Sequence, residues 1–246
     1  MLQTLPDGFT AVITGAGGGI GQAMVHRLLE SERPGRVVAV SRHIAEHDDP
    51  RFEHLAADVT TQQGRHALGE TLDGAPVHLL FNAIGLLHDK YRAISPEKRL
   101  EDLDAETLAT LFQVNAITPI LLIQTLADSI KGRHPVMIAS LSARVGSIED
   151  NRLGGWYGYR ASKAAHNMFL RTAAIELFRY NRQAIVLSLH PGTTDTGLSR
   201  PFQDRVPDGK LFTPAFVAER LLDVMNDRRP EESGSFWDWA GEPIPF

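Results

Sequence analysis

Tyr159 and Lys163 stand four residues apart in the segment Gly158-Tyr159-Arg160-Ala161-Ser162-Lys163. On a helix that spacing puts both side chains on one face. An ammonium beside a phenol favours the phenolate and lowers a pKa that starts near ~10. A tyrosine tuned in this way can give a proton to a carbonyl oxygen, or take one from an alcohol, near neutral pH. Tyr157 lacks such a partner, because position 161 is alanine. Far upstream, Thr14-Gly15-Ala16-Gly17-Gly18-Gly19-Ile20-Gly21 forms a glycine-rich turn. Such a turn lets backbone approach a pyrophosphate, which the N-terminus of the next helix attracts. Either motif alone is weak; in this order they predict hydride transfer with a dinucleotide.

The elements that would position these residues alternate along the chain. Apolar, β-rich runs predict strands at 9–14, 36–41, 54–59, 77–82, 135–140, 184–190 and 235–239. Helical patterns lie between them at 20–32, 62–72, 104–130, 157–180 and 213–226. Pro119 is expected to kink the 104–130 helix or to sit in a bend. Thr213 is expected as the N-cap of the last helix, with Pro214 in its first turn. Strands alternating with helices throughout predict an α/β fold, a doubly wound parallel sheet in a three-layer α/β/α sandwich. No linker, repeat or low-complexity tract divides the chain, so one domain over 1–246 is expected.

Composition narrows the partners. The 246 residues are 43% apolar with a net charge of -5 and no run of lysines or arginines. That balance argues against nucleic acid or an anionic membrane as the main partner. The absence of cysteine excludes disulfides, thiolate metal sites and cysteine nucleophiles, and fits a reducing cytoplasm. Residues 1–8 lack the basic and apolar regions of a signal peptide. The longest apolar stretch, 117–123, is broken by Thr118 and Pro119 and is too short to span a bilayer. A soluble cytoplasmic protein is expected. His43 and His47 are four apart, but no His-Glu-x-x-His pattern exists, and they read as solvated loop residues without a metal.

Five motifs together resemble the short-chain dehydrogenase/reductase family over nearly the whole chain. They are Thr14-Gly15-x-x-x-Gly19-x-Gly21, Asn82-Ala83-Ile84-Gly85, Asn115, Tyr159-x-x-x-Lys163 and Pro191-Gly192. The stretches 142–148 and 154–160 look most like its C-factor and carbonyl-reductase branch. The resemblance implies a Rossmann fold with Tyr159 as general acid. Lys163 would bind the nicotinamide ribose and lower the phenol's pKa. Asn115 would hold a water through its main chain, placed by a local helix distortion. Cofactor contacts are implied at Gly15, Gly17, Gly19, Ile20, Gly21, Asn82, Ala83, Gly85, Pro191, Gly192, Thr194 and Thr196. Asp58 and Val59 would meet the adenine, although Asp58 could instead cap the helix that follows.

The family's second serine at the end of the fifth strand aligns, through Gly146, with Ala143. Ser142 is the first candidate to replace it and Ser147 the second, with neither as the remaining alternative. Alternation aims Ser142 and Ala143 at opposite faces, so Ser142 needs a shift or bulge to serve. Cofactor choice turns on the end of the second strand, where an NAD enzyme places an acidic residue. Ser41-Arg42 stands there instead. A guanidinium pairs with a 2′-phosphate, so NADP(H) is expected; the competing view makes Arg42 a solvated surface residue. Residues 193–212 would be a substrate lid, with Leu153, Trp156 and Phe202 as pocket walls or ordinary packing. His190, beside Pro191 at a strand end, is expected to pack near the cofactor rather than to catalyse. The function expected is NADP(H)-dependent reduction of a small carbonyl compound, or the reverse oxidation of an alcohol. The rival is an NADP(H)-binding sensor with vestigial catalysis. Relatives that form homo-oligomers pair through long helices, here 104–130 and 157–180.

Overall fold

Strand β1 (Phe9–Thr14) divides its side chains between two cores. Ala11 and Ile13 join a cluster on one face and Val12 joins a second cluster on the other, as a two-residue period requires. A computed structural model describes residues 2–43 and 47–246. After β1 come α1 (Gly19–Leu29), β2 (Pro34–Ser41), β3 (Phe52–Ala56), α2 (Gln62–Leu72) and β4 (Leu79–Asn82). Next are α3 (Ala105–Phe112), α4 (Thr118–Thr125), α5 (Ala127–Ile130), β5 (Val136–Leu141) and α6 (Tyr157–Tyr180). The chain ends with β6 (Ala184–His190), β7 (Thr193–Thr194), β8 (Leu211–Phe212), α7 (Pro214–Asn226) and β9 (Ser235–Asp238).

Seven strands form one sheet in the order β3-β2-β1-β4-β5-β6-β9, and every pair is parallel. Helices α1 and α7 cover one face and α2, α4 and α6 the other. The expected doubly wound, three-layer sheet is the fold observed. Its topological switch point lies between β1 and β4, where ligands of such sheets sit outside the strand C-termini. Thr213 caps α7, accepting from the Phe216 amide.

Two boundaries differ instructively. The third strand stops at Ala56 rather than continuing to 59, because Asp58 closes a turn: its carboxylate accepts from the Thr60 amide and hydroxyl. The expected helix 104–130 is three helices, with a π-turn at Gln113–Ile117 between α3 and α4. Pro119 has no N–H to give to the carbonyl four residues back, which is that of Asn115. The run Ala105–Thr125 is long and apolar enough to cross a membrane by length and composition, but here it is broken by that turn and packs on α2 and α6.

Candidate active site

The glycine turn closes directly onto the end of β4. Gly15 has φ +73°, and a Cβ there would lie 2.9 Å from the Ala83 carbonyl carbon. A Cβ on Gly21 would lie 2.2 Å from the Gly15 oxygen, so glycine is required for α1 to pack on its own turn. Helix α1 starts without a side-chain cap, which leaves amides for an anion. Beside it opens a cavity of about 400 Å³ lined by Gly15, Gly17, Ser41, Arg42, Asp58, Val59, Ala83 and Gly85. The Ser41 hydroxyl donates to the His43 carbonyl at 2.6 Å. Burial works against ionisation of Asp58, yet hydrogen bonds from Thr60 and the charges of Arg42 and Arg92 leave its pKa lowered. Arg92 is a second guanidinium on this wall. The sequence reading missed it because a loop bridge between Asp89 and Ile94 carries it there.

Asn82 is spent on structure. Its carbonyl oxygen accepts from Thr14 Oγ1 at 2.8 Å and its amide donates to Ser140 Oγ at 2.7 Å, tying β1, β4 and β5 together. The cradle of glycines and open amides beside two guanidiniums fits a phosphorylated dinucleotide.

The π-turn presents Asn115. Its side chain is clamped to Leu86, accepting from the amide at 2.7 Å and donating to the carbonyl at 2.8 Å. Its own carbonyl, unclaimed by Pro119, meets His166 Nδ1 at 3.0 Å. Lys163 extends from α6 past Gly146, where a Cβ would lie 2.7 Å from the Lys163 Cβ. Its ammonium donates to the Leu141 carbonyl at 2.8 Å. A Cβ on Gly85 would be 3.8 Å from both Lys163 Nζ and Asn115 Oδ1, so these three residues converge. Lys163 Nζ lies 5.8 Å from the centre of the Tyr159 ring.

The electrostatics of the pair differ from expectation. Burial pushes the Tyr159 phenol up and pushes Lys163 down to about 7. Desolvation disfavours the charged form of each, and the ammonium is aimed at Leu141 rather than at the phenol. His166, buried against Asn115 and repelled by Lys163, falls to about 3.

Tyr159 faces a second cavity of about 620 Å³. Leu87, Val145, Leu153, Trp156, Leu198, Phe202 and Val206 supply apolar wall, and Ile20, Pro191, Gly192, Thr194 and Thr196 also line it. Gly19 lies against the same segment, where a Cβ would come 2.8 Å from Thr196 Cγ2. The rings of Phe202 and Trp156 lie 5.1 Å apart, and those of Trp156 and Tyr159 6.2 Å. Trp156 is held at φ 51°, a left-handed conformation unusual for a bulky residue. Its amide is bonded to the carbonyl of Glu97, whose buried carboxylate accepts from the Gly158 amide at 3.2 Å. Residues 193–212 are bracketed by the pairing of β7 with β8.

The expectation for the serine needs correction. The β5–β6 register runs without a shift through Leu141, so no bulge turns Ser142 round. Its hydroxyl donates to Asn167 Oδ1 of α6 at 2.7 Å. Ala143 lines the cavity instead. Ser147 is buried, accepting from the Asp150 amide at 3.1 Å. Among the described residues no group of three metal-ligating side chains gathers.

A family model described as short chain dehydrogenase matches residues 9–206. The chain belongs to the short-chain dehydrogenase family. This dehydrogenase family consists of oxidoreductases that work with nicotinamide cofactors. Among curated relatives, the chain is 31% identical to the C-signal of Myxococcus xanthus over 147 residues, covering 60% of this chain and 83% of that one. It is 26% identical to a benzil reductase of Bacillus subtilis, covering 92% and 96% of the two chains. The fold is that of the NADPH-bound carbonyl reductase from chicken fatty liver, with a TM-score of 0.84, 24% identity, and 98% and 95% of the two chains covered.

Proposed function

We propose that this dehydrogenase is a cytoplasmic NADP(H)-dependent reductase of small apolar carbonyl compounds. The observation that carries the reading is the Tyr159 phenol in the wall of a mostly apolar cavity, with Lys163 and Asn115 behind it. When bound, the cofactor supplies hydride. Gly15, Gly17, Ala83 and Gly85 admit its backbone, and Arg42 and Arg92 receive the phosphate that distinguishes NADPH from NADH. Tyr159 protonates the carbonyl oxygen as the alcohol forms. Lys163, desolvated by the fold, keeps its ammonium where an anionic partner restores the lost solvation. Residues 193–212 act as a lid whose Phe202 closes on Trp156 and excludes water. The exposed Met168, Phe169, Ile175 and Phe178 of α6 offer a face for self-association.

Ala143 favours a second reading, a sensor that binds NADP(H) and turns over weakly or not at all. One experiment separates the two. NADPH and NADH are titrated by fluorescence, and NADPH oxidation is followed with benzil and a panel of aldehydes, ketones and quinones. A reductase binds NADPH more tightly and turns over, and Tyr159→Phe lowers turnover by about 10²–10⁴-fold while leaving NADPH affinity unchanged. Binding without turnover supports the sensor. Binding of neither nucleotide refutes both.

A further inference from the structure

The substrate cavity is lined by Tyr159 and, where the family's second serine aligns, by Ala143, whose methyl offers no hydrogen bond to a carbonyl oxygen. The Ser142 hydroxyl donates to Asn167, and neither Ser142 nor Ser147 lines the cavity. His190 is a polar side chain on the same wall. It ends β6, in which Ala184 and Val186 face α6. The two-residue period therefore sets His190 on the face that carries Tyr159.

The ring lines the cavity and is partly exposed, while its Nδ1 is buried without a hydrogen-bond partner among the described residues. Asp238, its neighbour across the β6–β9 register, does not serve that nitrogen. One carboxylate oxygen of Asp238 accepts from the Ala240 and Glu242 amides, and the other from Arg144 at 3.1 Å. Burial, reinforced by the Arg144 charge, holds the imidazole down to about 4, so the ring is neutral under working conditions. A neutral imidazole carries one N–H, and a buried nitrogen with no acceptor is the costly place for it. The proton belongs on Nε2, the nitrogen open to the cavity.

We infer that His190 donates a hydrogen bond from Nε2 to the substrate's carbonyl oxygen, at the place where Ala143 offers none; this rests on the carbonyl-reductase reading above. The oxygen then meets two donors with different tasks. Tyr159 gives up its proton, whereas His190 keeps its own and stabilises the charge that develops on oxygen. A neutral imidazole is a competent electrophile for a carbonyl, and it brings no second cation beside Lys163.

Proton–nitrogen correlation spectra of the imidazoles, recorded on the protein without cofactor, read the tautomer directly. The expected result is a neutral Nε2–H ring at His190 that shifts when benzoin is added. An Nδ1–H ring would face the cavity with an acceptor and overturn the inference. In NADPH oxidation with benzil, His190→Ala should lower kcat/KM about 100-fold, with NADPH affinity kept. Adding Ala143→Ser to His190→Ala should recover about tenfold of that loss. If the alanine variant does not fold, His190→Phe preserves the ring's bulk and carries the same expectation. Undiminished turnover in a folded variant overturns the inference. A wild-type protein inert to every carbonyl probe would instead refute the reductase reading, and the spectra would still decide the tautomer.

Discussion

Lys163→Met isolates the effect of burying an ammonium next to Tyr159. Lys163 is 2% exposed, and its pKa falls from 10.5 to about 7. The unfolded chain keeps the lysine proton up to the higher value, while the folded protein releases it at the lower one. Between the two, unfolding takes up a proton, so stability rises with pH. At about 1.4 kcal/mol per pKa unit, the wild type should gain about 2 kcal/mol from pH 7 to pH 9 that the methionine variant cannot gain. For a domain of this size that is a difference in melting temperature of about 4–8 °C. The variant also loses the bond from Nζ to the Leu141 carbonyl, worth about 1 kcal/mol. That loss is the same at every pH and cancels in the slope. Thermal melts of both proteins at pH 7, 8 and 9 supply the difference curve. Parallel curves, or a wild type that falls behind as pH rises, would refute the claim that folding neutralises this lysine.

Arg42→Asp combined with Arg92→Ala should reduce the preference for NADPH over NADH by about 10- to 100-fold, from the loss of charge-assisted bonds, measured as the ratio of dissociation constants. An unchanged ratio would remove both guanidiniums from the cofactor site. Gly21→Ala places a Cβ 2.2 Å from the Gly15 oxygen. It should cost about 1–3 kcal/mol in denaturant unfolding and weaken nucleotide binding; a variant as stable as wild type would contradict the geometry of the turn. Two desolvated histidines, the buried His166 at about 3 and the partly exposed His190 at about 4, stay neutral when folded but charge when unfolded. Stability should therefore fall as pH drops from 6.5 towards 4, with a slope of up to about 2.7 kcal/mol per pH unit. His166→Leu should halve that slope in urea titrations; the same slope in the variant would count against a neutral buried ring.

Local patterns made much of the fold legible. The bounds of α2 and α6 follow from the helical spacing of their apolar residues, and the cap at Thr213 from its position before Pro214. Each depends on contacts within a few residues. The glycine turn was legible for a related reason: glycines so spaced between a strand and a helix leave few other backbone paths. Pro119 announced a disturbance of its helix, but not its form as a π-turn that frees the Asn115 carbonyl for His166.

Strand alternation already placed Ser142 and Ala143 on opposite faces. Whether a bulge would reverse them depended on the β5–β6 register and on the Asn167 acceptor waiting on α6, neither of which is local. Arg92 was unreadable because only the loop bridge at Asp89 and Ile94 brings it beside Arg42.

The chain alone determined a doubly wound sheet, a glycine cradle and a tyrosine–lysine pair on one helix face, because short-range periodicity and backbone sterics set these. Tertiary structure decided the protonation energetics of Tyr159 and Lys163, and that Ala143 rather than Ser142 lines the cavity. The physical reason is desolvation. Whether a charge or a lone pair is costly depends on what every packed element places around it, and residue spacing does not encode that.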